Sequence, residues 1–214
     1  MTETMTVHKG LCELKILNNR IYDAINSASF VATNKHSSSK INGKDVELFI
    51  SEAKDAYKSI VSLINRRNAL KAAITQSNAV TTIKINGKDY TVAQAIDMKS
   101  TATEYLKNLL GRIESQYDAC AKKADKDNNA LEEKADRYVK DLYEAKDVKN
   151  LSEESKKSRE IYVEANTVEL VDPIDAVKVM KKLKDEIDAF TSEVDSALSV
   201  SNAVTEITFD YETK

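Results

Sequence analysis

Apolar residues recur at steps of three and four for about fifty residues in the middle of the chain, and this run constrains the fold most strongly. It begins at Val92 and reaches Leu142. Such spacing places all of these side chains on one face of an α-helix. At about 1.5 Å per residue, a continuous helix of this length spans roughly 75 Å. The pattern therefore predicts a projecting helix or a broken one, and Asp127-Asn128-Asn129 is the sequence that most favours a break.

Three further stretches carry the same helical spacing. The chain has only four Gly and one Pro in 214 residues, whereas a β-sandwich or barrel needs frequent turn residues, so long helices are favoured. Thr6, Thr91 and Asp172 are the predicted N-caps, and Pro173 suits the first position of the last helix. The predicted helices cover about 7–28, 45–76, 92–120 and 173–200.

A β-hairpin is predicted where alternating, β-branched residues flank Asn86-Gly87. This dipeptide favours a two-residue type I′ turn, because both of its positions tolerate positive φ. The strands are predicted at about 79–85 and 88–91. A third strand at about 204–209 is expected to join them, because three strands are about the minimum for a stable small sheet.

One internal repeat links these elements. The segment Ser77–Ile83 recurs as Ser201–Ile207, with Ser, Asn, Ala, Val and Thr in the same order at the start of each copy. Each copy follows a long amphipathic helix and opens a β segment. A second echo places Ile-Asn-Gly-Lys-Asp at 41–45 and again at 85–89. Both repeats predict structural devices, a helix-to-strand junction and a turn before a helix.

The stretch 122–160 contains 11 basic and 11 acidic residues. Acid-first pairs four residues apart, such as Glu133 and Arg137, support a solvated helix. Asn150 followed by Glu153 predicts a turn and a restart, hence an antiparallel helical hairpin. We expect a single domain, 1–214, with a projecting charged helical arm at about 121–165. The predicted fold class is mainly α with a small β element (α+β), a long-helix antiparallel bundle or coiled-coil-like hairpin with a small antiparallel sheet of about three strands.

Charge and composition bear on the class of partner. The formal net charge of −3 gives no strong attraction to nucleic acid, so we do not expect nucleic-acid binding. No apolar run approaches the roughly 20 residues of a membrane span, and no membrane partner is expected. Cys12 and Cys120 lie in no Cys/His cluster, which is typical of a reduced intracellular protein. We expect a cytoplasmic protein that is made and used inside a cell, or assembled there.

The sequence predicts no catalytic residue, no cofactor and no metal site. The strongest candidate for contact with a ligand or partner is a basic cluster on the second helix, Arg66, Arg67 and Lys71, which could meet a phosphate group. The alternative is a solvated helix face. Arg67 also interrupts an apolar stripe, either as a side chain that snorkels at its edge or as the buried partner of a carboxylate or ligand.

Three blocks of the chain carry a resemblance to known proteins. They are Val7-His8-Lys9-Gly10-Leu11 with Ile21, Asn65-Arg66-Arg67-Asn68-Ala69 leading to Ser77-Asn78-Ala79-Val80-Thr81, and Asp172-Pro173-Ile174 leading to 190–203. These blocks resemble a family of uncharacterised proteins encoded by phages and prophages of Firmicutes, and the similarity covers nearly the whole chain. The stretch 78–98 and the final helix are distantly similar to septicolysin-like proteins, which are helical with a small β element and whose label suggests cytolysis. Neither resemblance implies site residues.

Two function hypotheses follow. The first is a non-enzymatic, phage-encoded helical protein that acts through homo-oligomerisation and protein–protein interaction, as a virion component or accessory factor. The alternative is a phage counter-defence protein that sequesters a small signalling nucleotide or binds a host defence protein. An enzyme is not expected, because no catalytic constellation or phosphate-binding glycine loop occurs in the sequence.

Overall fold

The protein is mainly α-helical with small antiparallel β elements, as the sequence predicts. The structure, a computed structural model, describes residues 1–143 and 152–212. In chain order its elements are β1 (Thr2–Thr6), α1 (Val7–Ser27), β2 (Lys40–Ile41), β3 (Lys44–Asp45), α2 (Val46–Val80), β4 (Thr82–Ile85), β5 (Lys88–Thr91), α3 (Val92–Asp97), a π-helical turn (Met98–Ala102), α4 (Thr103–Tyr143), α5 (Glu153–Asn166), α6 (Ala176–Val204) and β6 (Glu206–Asp210).

Contacts within the chain divide it into two compact units. The first unit is Met1–Thr101 together with the chain from Ala189 onward, and it holds all six described strands. The second unit is Ala102–Asp188, with α4, α5 and the beginning of α6. The expectation of a single domain with an arm at about 121–165 stays a prediction.

Helices α1 and α2 pack antiparallel in the first unit. Leu17 and Leu70 are both fully buried in the cluster between these helices and strands β1 and β6. Gly10 permits the close approach, since a Cβ at this position would lie 3.2 Å from methyl carbons of Ile74 and Leu70. The predicted N-cap is confirmed, because the Thr6 side chain accepts a hydrogen bond from the backbone N–H of Lys9.

Both Ile-Asn-Gly-Lys-Asp echoes form the tight turns that the sequence predicts. In the first, Asn42 and Gly43 have φ of 49° and 85°, and in the second Asn86 and Gly87 have φ of 48° and 73°. These left-handed values at both central positions are those of a type I′ turn. The turns close the hairpins β2–β3 and β4–β5, and each hairpin leads into a helix. The first predicted strand is too long, because α2 continues to Val80.

The predicted long helix is present, but the predicted break is in the wrong place. Helix α3, the π-helical turn and α4 form one helical run of 52 residues. It passes without interruption through Asp127-Asn128-Asn129, where two hydrogen bonds join Asn128 to the backbone of Val168. Asn128 therefore serves as an anchor for another segment, and the irregular turn falls instead at 98–102.

The last helix starts later than its sequence predicts. Both carboxylate oxygens of Asp172 accept hydrogen bonds from backbone N–H groups, one from Ile174 and one from Ala176. Asp175 has φ of +55°, which is incompatible with a helix running from Pro173. Helix α6 therefore begins at Ala176, and Asp172 acts as the anchor of the turn that precedes it.

The three-stranded sheet predicted at about 79–85, 88–91 and 204–209 does not form. The described strands make three separate two-stranded ladders, and β6 pairs with β1 instead of with the β4–β5 hairpin. The register runs from Thr2 opposite Asp210 to Thr6 opposite Glu206. The sequence did not suggest a strand at 2–6, because Met5 is the only large apolar residue between Thr2 and Thr6.

The internal repeat produces two equivalent helix–strand–strand–helix junctions in the first unit. At one junction the N–H of Val92, at the start of α3, donates to the carbonyl of Thr81. At the other, the N–H of Val7, at the start of α1, donates to the carbonyl of Thr205. Strands β6 and β1, which lie at the two ends of the described chain, thus take the place in one junction that the continuous hairpin β4–β5 takes in the other.

In the second unit, α5 packs antiparallel on α4, as the predicted helical hairpin requires. The rings of Tyr138 and Tyr162 stack with their centroids 4.5 Å apart. The Arg159 guanidinium donates to both Asp136 and Glu132, and these bonds raise its pKa. The turn predicted at Asn150 lies outside the described residues.

Candidate interaction surface

The predicted basic cluster does not form one site. Arg66 is half-buried and paired with two carboxylates. Arg67 Nε donates to Oδ1 of Asn18 at 3.1 Å, so this side chain lies along α1 at the edge of the apolar stripe. Lys71 is exposed, and no ion pair to it occurs among the described residues. The three cations therefore have three different environments, and Lys71 alone is open to solvent.

Arg66 joins α2 to strand β1 and to α1. Its Nε and Nη2 donate to the two carboxylate oxygens of Glu3 at 2.7 and 2.9 Å, and its Nη1 donates to Glu13 at 2.6 Å. The Tyr211 hydroxyl donates to the same Glu3 carboxylate at 2.7 Å. The hydrogen bonds from Arg66 lower the pKa of Glu3 to about 2. Since the guanidinium is already neutralised, a phosphate group would have to displace a carboxylate to bind it.

A groove of about 750 Å³ runs along the first half of α2 on the side away from this cluster. Its lining is mostly apolar, and Tyr57 at its centre keeps 64% of its surface exposed. Another side of α2 carries Leu70 and Ile74, the buried residues that pack against α1 and β6. The groove is lined by Phe30, Ala53, Lys54, Tyr57, Lys58, Ile60, Val61 and Ile64.

The apolar residues of this side recur at steps of 4, 3, 4, 4 and 3 along α2. Such spacing keeps them on one helical face over about five turns. We call this set the α2 stripe: Val46, Ile50, Ala53, Tyr57, Val61 and Ile64.

Helix α1 extends the apolar surface beyond α2. Tyr22 is 70% exposed and Ile25 is exposed, and helical spacing places both on the same face of α1 as Asn18. Because the two helices are antiparallel, that face and the α2 stripe lie on the same side of the helix pair. We call the combined surface the open face: the α2 stripe with Tyr22, Ile25 and Phe30.

Positive charge borders the open face on the flank that lies away from α1. Lys54 and Lys58 line the groove, are exposed, and form no ion pair among the described residues. Long lysine stems can cover an apolar rim while the ammonium group stays in water. The open face is therefore an apolar strip with a basic edge.

The remaining cavities have less distinctive chemistry. A cavity of about 390 Å³ lies beside the β2–β3 hairpin, where Lys44 pairs with Glu52. In the second unit, a cavity of about 430 Å³ includes Cys120 and Tyr117 in its lining. Across 1–143 and 152–212, no group of three or more His, Cys, Asp and Glu side chains is arranged to hold a metal ion. Every helix in those ranges is too short or too polar to cross a membrane.

Comparisons with family models, with curated proteins and with solved structures find no match to this chain. The resemblance to phage and prophage proteins therefore stays a prediction.

The sequence contained the signal for the open face, but the helical pattern merged two faces into one. By spacing alone, Tyr57, Ile60 and Ile64 fall into the same stripe of the second helix as Leu70, the stripe that Arg67 interrupts. The structure separates Leu70, which is fully buried in the cluster with α1, from Tyr57, which is exposed, whereas Ile60 is buried and also lines the groove. The seven-residue spacing of Ile50, Tyr57 and Ile64 would have identified the α2 stripe as a separate face of the helix.

Proposed function

We propose that this protein is a non-enzymatic, phage-encoded helical protein that acts through homo-oligomerisation and protein–protein interaction, as a virion component or an accessory factor in the host cytoplasm. The observation that carries the proposal is the open face. A contiguous apolar surface along two helices is unusual on a protein that works alone, and it is typical of interaction sites.

The size of the open face supports a specific contact. The α2 stripe is about 27 Å long at 1.5 Å per residue, and two packed helices are roughly 20 Å wide. A partner of the same size would then bury about 1,000 Å² in total, which lies at the lower limit of specific interfaces. Tyr57 supplies the kind of large, exposed aromatic side chain that anchors such contacts. We expect reversible association in the micromolar range.

The alternative function is counter-defence through a signalling nucleotide or a host defence protein. The nucleotide version draws little support from the basic cluster, because Arg66 is engaged by two carboxylates and Arg67 by Asn18. Binding to a host protein through the open face remains compatible with the proposed mode of action. A thermal-shift series with cyclic nucleotides and dinucleotides separates the two, and a saturable rise in melting temperature would favour the nucleotide version.

Sedimentation velocity across the micromolar range tests the proposed function. We expect the weight-average mass to rise with concentration for the natural chain and to stay at one copy for Tyr57→Ser. The matched control is Tyr105→Ser, because Tyr105 is an equally exposed helical tyrosine outside the open face. If the natural chain stays monomeric throughout, or if both variants behave alike, the open face is not the basis of self-association.

A further inference from the structure

We infer that the partner of the open face is a second copy of this chain, with the two α2 helices antiparallel about a two-fold axis at Tyr57. This inference rests on the proposed function and specifies the contact through which the chain associates. Its basis is the spacing of the apolar residues from Ile50 to Ile64 on α2, which is the same in both directions from Tyr57.

The steps from Tyr57 are 4 and 3 toward Ala53 and Ile50, and 4 and 3 toward Val61 and Ile64. An antiparallel two-fold pair matches each residue with its mirror position. Ile50 then lies opposite Ile64 of the second copy, Ala53 opposite Val61, and Tyr57 opposite Tyr57. At the inner positions the small Ala53 faces the larger Val61, so no two branched side chains clash there. The two Tyr57 rings therefore fit at the centre.

The same axis completes a four-helix arrangement. Each copy contributes α1 and α2, and the exposed Tyr22 and Ile25 of α1 lie on the side that the second copy would cover. Two-helix layers that pack through their apolar sides form an ordinary four-helix bundle. An isologous contact of this kind is closed, because each copy uses its open face once.

The basic edge determines how the contact responds to salt. In an antiparallel pair, residues on one flank of a helix meet the same flank of its partner. Lys54 and Lys58 of one copy therefore approach Lys58 and Lys54 of the other at the rim. Repulsion between exposed like charges is weakened by salt, so the dimer should strengthen as ionic strength rises. An acidic partner protein would show the opposite dependence.

Disulfide trapping tests the axis directly, in a background with Cys12→Ser and Cys120→Ser so that no natural thiol competes. Chains carrying Ile50→Cys are mixed with chains carrying Ile64→Cys and oxidised gently. The mixed disulfide should form, whereas Ile50→Cys alone should not self-link. In the antiparallel pair its two copies are about 21 Å apart along the helix axis, far beyond disulfide reach. Tyr57→Cys should self-link, and it is the least disruptive position because the side chain is exposed.

Charge reversal gives a second readout that requires no oxidation. A variant with Lys54→Glu and Lys58→Glu, mixed with the natural chain, should form more mixed dimers than random pairing gives. In a mixed dimer the two flanks that meet carry opposite charges. Native mass spectrometry of an isotope-labelled mixture measures this ratio. Melting temperatures of all variants show whether each is folded.

The outcomes separate this inference from the proposed function. Self-linking through Ile50→Cys would indicate a parallel pair and overturn the two-fold axis. Association by sedimentation without any of these cross-links would leave self-association standing and move the contact elsewhere. A chain that stays monomeric but binds a synthetic amphipathic helix with a glutamate flank would assign the open face to another protein. That result would overturn the two-copy contact and the homo-oligomerisation part of the proposed function.

Discussion

The ion-pair cluster at Arg66 makes the stability of the fold depend on acid pH, and Glu3→Gln is the perturbation that isolates it. Glutamine keeps the shape of the side chain and removes the charge to which Arg66 donates two hydrogen bonds. The Glu3 side chain is only 24% exposed, so the pair is partly screened from water. The variant also leaves Glu13 in place as a partner of the arginine.

The magnitude follows from the pKa of Glu3. The pKa falls from 4.5 to about 2 in the folded chain, chiefly through the hydrogen bonds from Arg66. This shift corresponds to at most about 3.4 kcal/mol at 1.36 kcal/mol per pKa unit, and solvent screening of a partly exposed pair reduces it to roughly 1–2 kcal/mol. Because the folded pKa is lowered, the stabilisation is present above about pH 4.5 and is lost as the pH falls toward 2.

Urea unfolding at pH 7 and pH 3 measures this contribution. We expect Glu3→Gln to lower the free energy of unfolding by about 1–2 kcal/mol at pH 7, and by less than half as much at pH 3. The matched control is Glu153→Gln, because Glu153 pairs with Lys156 on a fully exposed helix surface and should give no measurable change. A penalty for Glu3→Gln that is equal at both pH values would refute the reasoning.

Three further predictions concern the packing and the repeat. A circular permutant that joins the ends of β6 and β1 by a short turn and opens the chain between Asn86 and Gly87 should fold, because the two strand pairs are equivalent, and far-UV circular dichroism with urea unfolding checks this. Asn128→Ala should increase hydrogen exchange at the N–H of Val168, which donates to the Asn128 side chain, while the melting temperature changes little. Ile74→Ala should lower the free energy of unfolding by about 2–5 kcal/mol, as for other buried large-to-small changes, in the same urea assay; a loss under about 1 kcal/mol would show that the site collapses around the cavity.

The local features of the fold were predictable because their causes are local. Asn86-Gly87 specifies its turn through backbone conformation alone. Thr91 begins α3 with a capping box that it shares with Gln94, and both partners lie within four residues. Signals of this kind need no knowledge of the rest of the chain, so the hairpin and the helix starts at Val7 and Val92 were placed correctly.

The pairing of β1 with β6 could not be predicted from local pattern, since its partners are about 200 residues apart and mostly polar. The repeat nevertheless held the information. Thr6-Val7 corresponds to Thr91-Val92 just as Ser201 corresponds to Ser77. If β4 pairs with the strand before Val92, then the repeat requires β6 to pair with the strand before Val7.

The partners of the basic cluster could not be predicted from the sequence for a related reason. Arg66 and Arg67 lie together in sequence with no acidic neighbour on α2, so they resembled free cations. The carboxylates that neutralise Arg66 come from Glu3 and Glu13, which are 63 and 53 positions away. Only the tertiary structure brings these groups together, and no spacing rule along one helix could have supplied them.

The two repeat copies carry different residues at the position of Arg66, and this difference indicates a role for the ion pair. The offset between Ser77 and Ser201 aligns Arg66 with Phe190, whose ring meets Tyr90 edge-on at 5.9 Å in an apolar cluster. In the other copy the guanidinium lies 5.9 Å above the Tyr211 ring and binds Glu3. Two similar junctions in one chain could exchange their strands during folding, and such an exchange would separate the half-buried Arg66 and Glu3 and leave Arg66 with Glu13 alone. Because a half-buried charge that loses its partner is costly, the ion pair favours the native pairing of β1 with β6 over the exchanged one.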